Sequence, residues 1–153
     1  MKTIVTAEEV IQLAFSAEEH YAPTIITQED IVEAEYEYII PILGQALFDA
    51  MCQGRYTELR DGYVAPAIAA SLRASLEPLL AQRSVACHKV GVVSAADIAA
   101  QRRSLIALRR KARTLRRRLS DYVEANTEAY PEYDSSFNPL NRCSIDGNIV
   151  QVY

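Results

Sequence analysis

Two histidines, three cysteines and five glycines are spread over 153 residues, and each shortage removes a class of chemistry. His20 and His88 are too few and too isolated for a metal cluster or a catalytic triad. Cys52, Cys87 and Cys143 form an odd, widely spaced set without a CxxC pair, so neither a disulfide framework nor a zinc site is expected. Gly44, Gly54, Gly62, Gly91 and Gly147 each stand alone, so no glycine-rich phosphate loop exists. Ser84, Cys87 and His88 could be drawn as a nucleophile and base, but near neighbours in sequence seldom face one another. No apolar run approaches the roughly 18 residues of a membrane span, and no secretory leader precedes the first helical pattern. The expectation is a soluble chain without cofactor, metal or membrane partner, acting in the compartment where it is made. There is no internal repeat and no low-complexity linker.

What is present is helix pattern and separated charge. Half the residues are hydrophobic and 24% are charged, enough for the core of a single domain. The net charge of −4 conceals an asymmetry: residues 1–61 hold 12 acidic and 3 basic side chains, whereas residues 102–118 hold 9 of the 16 lysines and arginines and no acid.

The pattern centres on Thr27 to Gly44. Thr27 and Asp30 make a variant capping box, and the acids of the first turn suit the positive end of the helix dipole. Ile31, Val32, Tyr38, Ile39, Ile42 and Leu43 share one face, with Pro41 bending the last turn and Gly44 ending it. Upstream, Thr6 and Glu9 form a full capping box before a short helix carrying Val10, Ile11, Ala14 and Phe15. Ser16 to Ile26 reads as a loop. A short helix follows over Gln45 to Cys52, and Asp61-Gly62 reads as a turn. Pro66 is placed to start a helix whose apolar stripe is Ile68, Ala69, Leu72, Leu76, Leu79 and Leu80, kinked at Pro78. Ser84 to Val93 is non-periodic, a loop or hairpin.

The longest helix is expected from Ser94 to about Ala125. Ile98, Leu105, Leu108, Ala112, Leu115, Leu119 and Tyr122 recur at intervals of 7, 3, 4, 3, 4 and 3, an a/d seam. Arginine stripes flank it, including Arg102, Arg109, Arg113, Arg116 and Arg117. The tail is turn-rich and ends in a strand-like segment from Ile149 to Tyr153. Its partner is expected in Lys2 to Val5, in residues 85–93, or in another chain. The fold expected is all-α: a small helical bundle, residues 6–125, with a long basic helix and an extended tail, residues 126–153.

Glu35 sits within the apolar arc of the central helix. A carboxylate there must be paired or hydrogen-bonded. It reads as a buried structural group meeting a cation, hydroxyl or amide, with Arg73 a possible partner; as a general base it would make the chain a small enzyme. The arginine-rich helix admits three readings. It contacts nucleic acid, it is a solvated face, or it meets the acidic first half of another copy. The acidic total and the absence of aromatics from residues 102–118 weigh against single-strand binding.

The order of these features resembles a known family, the small helical head–tail connector (adaptor) proteins of tailed bacteriophages. The resemblance lies in the helix after TAEEV, in ITQEDIVEAEYEYIIPILGQAL and in the proline-led VAPAIAA, over residues 6–83. The remainder, through NRCSIDGNIVQVY, is similar to proteins of Bacteroides-type prophages. The resemblance implies a structural, non-catalytic subunit that self-associates into a ring between portal and tail or stopper proteins. DNA would pass through its channel. It would assemble in the host cytoplasm and reside in the virion neck.

Overall fold

A computed structural model describes residues 3–16, 23–84, 95–141, 143–146 and 149–152. The segment expected as a loop or hairpin from Ser84 to Val93 lies almost wholly outside the described residues, as do His20, His88 and Cys87. The protein is all-α, with a short two-stranded hairpin at its end. Both sequence-legible capping boxes form. Thr6 caps α1 (Ala7–Ala14) and Thr27 caps α2 (Gln28–Ala34), with Glu9 and Asp30 closing back onto the cap amides.

The central helix is not a plain α-helix. After α2 the backbone widens into a π turn at Glu35–Ile39, then resumes as α3 (Ile40–Leu43) and stops at Gly44. The same happens downstream. α4 (Gln45–Cys52) is followed by α5 (Thr57–Leu59), a second π turn at Arg60–Val64, and α6 (Ala65–Ser84). Asp61-Gly62 therefore lies inside a continuous helical path, not in a turn, and Pro66 does not open the helix.

The cause is shared. Each π turn ends two residues before a proline, Pro41 or Pro66, in the matching runs Tyr38-Ile39-Ile40-Pro41 and Tyr63-Val64-Ala65-Pro66. A proline in an α-helix lacks the N–H and drives its ring against the carbonyl four residues back. Here the residue before each proline donates five residues back, Ile40 to Glu35 and Ala65 to Arg60, and the widened turn accommodates the ring. α6 also runs on past Pro78, which lies within its bounds.

α6 packs most extensively against α1 and α7 (Ala95–Ala125). Ile31, Ile39, Leu43, Leu47, Leu59, Ile68, Leu72 and Leu119 are fully buried at its centre. Of the a/d seam, Ala112 and Leu119 are buried and Leu105, Leu108, Leu115 and Tyr122 half-buried, whereas Ile98 stands exposed. The N-terminal turns of α7 thus extend beyond the core, as does α6 at the exposed Leu79.

Behind α7, Asn138 donates to Ser120 at 2.8 Å and to Tyr133 at 2.9 Å, and Tyr63 stacks on Tyr122. The Asn138–Ser120 bond, with Tyr133 and Asn141 donating to Glu124 at 3.1 and 2.8 Å, holds residues 130–141 to α7. The terminal strand β2 (Ile149–Val152) finds a partner in the tail itself, pairing antiparallel with β1 (Cys143–Asp146); the alternative partner expected in residues 85–93 lies outside the described residues.

Gly44 adopts φ 78° and ψ 156°, a region open to glycine alone, and a side chain there would meet nothing within 4 Å. Gly44→Ala should therefore cost about 1–3 kcal/mol through backbone strain. Denaturant unfolding reads this as a lowered midpoint; an unchanged midpoint would contradict the assignment.

Candidate functional site

Two sets of polar side chains stand out from the packing. The first is a clamp on one residue of the N-terminal segment. Ile4 and Val5 are buried, so their backbone groups need partners within the protein. The Ile4 N–H donates to Glu35 Oε1 at 2.7 Å, and Val5 gives Glu35 a second amide. On the other side, Arg60 Nε and Nη2 donate to the Ile4 carbonyl at 3.0 and 2.8 Å. Glu35 and Arg60 are the first residues of the two π turns. Arg60 also reaches Glu9 at 2.7 Å, which holds the Glu9 carboxyl below its ordinary range and links the clamp to the α1 cap.

Glu35 is 2% exposed. Burial pushes its carboxyl from 4.5 up to about 7, and the amides of Ile4 and Val5 oppose that rise without cancelling it. Arg73 is not its partner. That guanidinium pairs with Glu77 at 2.8 Å and lies over the Phe15 ring at 4.0 Å. In this arrangement Glu35 anchors backbone.

The second set lies on the outer face of α7. Arg109, Arg113 and Arg116 follow at i, i+4 and i+7 and so share a face. With Tyr38, Ser71 and Ser75 they wall a cleft of about 380 Å³. Arg116 is half-buried with its guanidinium over the Tyr38 ring at 4.7 Å, and burial lowers its pKa. Burial, then the Glu37 hydrogen bond, raises that of Tyr38. Ser71 Oγ and Arg116 Nε are both buried without a hydrogen-bond partner, a condition that costs about 1–3 kcal/mol for each group. A second cleft of about 520 Å³ adjoins, shared by Glu37, Pro41, Arg117 and Leu140.

The structure brings Arg109, Arg113 and Arg116 together around one cleft and leaves Arg102 exposed further along α7. Arg117 points to the second cleft and approaches Asp121 at 3.6 Å. Arg60, Tyr38 and Ser71 were missed in the sequence. The repeated Tyr-Ile-Ile-Pro and Tyr-Val-Ala-Pro runs were the signal for the first two, while Ser71 has none beyond its place on an apolar face. Among the described residues no group of His, Cys, Asp and Glu side chains could hold a metal ion. No described helix is long and apolar enough to cross a membrane. Comparison with protein-family models, curated proteins and solved structures finds no match.

Glu35 generates a prediction with a definite sign. Its folded pKa lies above the unfolded value, so the stabilisation it gives is complete below about pH 4.5 and is lost as pH rises through about 7. The native chain should lose stability against Glu35→Gln over that interval and run parallel to it at higher pH. Glu35→Ala strands two buried amides and should cost about 2–5 kcal/mol. Urea melts at several pH values check both; equal stability of native and alanine forms would remove the anchor.

Proposed function

We propose that this chain is a structural assembly subunit, a head–tail connector (neck adaptor) of a tailed bacteriophage or prophage, and not an enzyme. The observation that carries this reading is a pair of exposed patches of opposite charge, one on α2 and one on α7. Glu29 and Glu33 stand exposed on α2 beside the exposed Tyr36, whereas Arg102, Arg109, Arg110, Arg113 and Arg117 stand exposed on α7. Two unlike, complementary faces on one molecule suit head-to-tail contacts, which close into a ring when the rotation allows. The connector-like order of helices over residues 6–83 supports the same reading. The ring would sit between portal and tail or stopper proteins and surround the DNA channel, assembling in the host cytoplasm and ending in the virion neck.

A second reading, nucleic-acid contact through residues 102–118, is favoured by the exposure of seven of the eight arginines there. The net charge of −4 counts against it.

Exposed charge pairs are screened over about 8–10 Å at physiological ionic strength, so assembly should weaken with salt. Sedimentation of the concentrated protein at low salt should show large closed species that dissociate as salt is raised, and negative-stain images should show rings with a central hole. A chain monomeric at every salt concentration would contradict the reading. Salt-sensitive binding to short duplex DNA in place of self-association would favour the alternative.

A further inference from the structure

We propose that the cleft walled by Arg109, Arg113 and Arg116 is a carboxylate-binding site, and that its ligand is the Glu29–Glu33 pair on α2 of a second copy. This rests on the assembly reading above and names the contact that would carry it.

The cleft is built as a receptor for an oxyanion. Three guanidiniums border it, and the nearest carboxylate is Glu37, which lines the adjoining cleft that shares Tyr38, Arg113 and Arg116 and which bonds Tyr38, leaving three cations to one acid. Ser71, 3% exposed, lines the cleft with its hydroxyl unpartnered, and Arg116 Nε is buried and unpartnered in the same way. A carboxylate accepts from a hydroxyl and from guanidinium N–H groups at once, and the planar arginine fork matches its two oxygens.

The geometry of α2 supplies the counterpart. Glu29 and Glu33 are both exposed and lie one helical turn apart, on the face that carries Gln28, Val32 and Tyr36. Arg109 and Arg113 are separated by the same four residues, a rise of about 6 Å on either helix. Within one copy neither glutamate lines the arginine cleft. Each molecule therefore presents an acidic patch and a basic cleft, and the proposed contact joins them head to tail.

The test uses two neutral variants of the full chain, Arg109→Gln/Arg113→Gln and Glu29→Gln/Glu33→Gln. All four positions are exposed, so both variants should fold, and circular dichroism checks this. By native mass spectrometry at low salt, the native chain should form oligomers and each variant alone should be monomeric. An equimolar mixture of the two should form heterodimers that stop at two copies, because only one complementary pair of faces survives. Ser71→Ala in the native background should weaken association about tenfold, the effect of one hydrogen bond to a charged group. Native-like assembly by either double variant, a mixture that yields no heterodimer, or an unchanged Ser71→Ala form would overturn the site while leaving ring assembly standing. A native chain that stays monomeric yet binds duplex DNA through Arg109 and Arg113 would overturn both.

Discussion

One peptide segment sets the arrangement of the fold. Ile4 is buried with its N–H on Glu35 and its carbonyl on Arg60, so a carboxylate and a guanidinium grip opposite sides of one residue. Both gripping groups come from the widened turns that Pro41 and Pro66 impose, and both turns belong to helices of the core. The clamp passes through Arg60 and Glu9 into the cap of α1, which packs on α6. Releasing Ile4 would leave buried backbone groups and a buried carboxylate without partners together, so the elements are coupled through polar contacts as well as apolar packing.

That coupling fixes what the outside of the molecule presents. The π turn that begins with Glu35 also carries Tyr38, whose ring supports Arg116 on α7. The same short stretch thus holds the N-terminus on one side and shapes the arginine cleft on the other. α2, immediately before it, carries Glu29 and Glu33 outward. The acidic patch of α2 and the arginine cleft are thus joined through one short stretch of core.

Where the signals are local, the sequence is legible. The capping boxes at Thr6 and Thr27, the stop at Gly44 and the span of α7 are written within a few residues and form as expected. Glu35 was legible as a buried carboxylate because its neighbours at helical spacing are apolar. Its partner was not, since Ile4 lies 31 residues away and a backbone amide carries no side-chain signature. Arg60 was hidden for the same reason, 56 residues from Ile4 and beside an Asp-Gly pair that reads as a turn. The hairpin of β1 and β2 was legible and passed over: Cys143 and Ile145 alternate with Ser144 and Asp146, and Asp146-Gly147 is a hairpin turn signal, but four residues a side make a short pattern beside the turn-rich tail. The arginine cleft emerges only when α6 brings Ser71 against α7, which no single stretch of sequence encodes.

The central claim is that the basic face of α7 meets protein, with a second copy of this chain as its counterpart. Cryo-electron microscopy of the purified protein at low salt tests this most directly. The account predicts a closed ring of head-to-tail subunits in which Glu29 and Glu33 of each copy enter the cleft of Arg109, Arg113 and Arg116 on the next. A ring whose arginine clefts stand open toward the central channel would contradict it, as would particles containing a single copy.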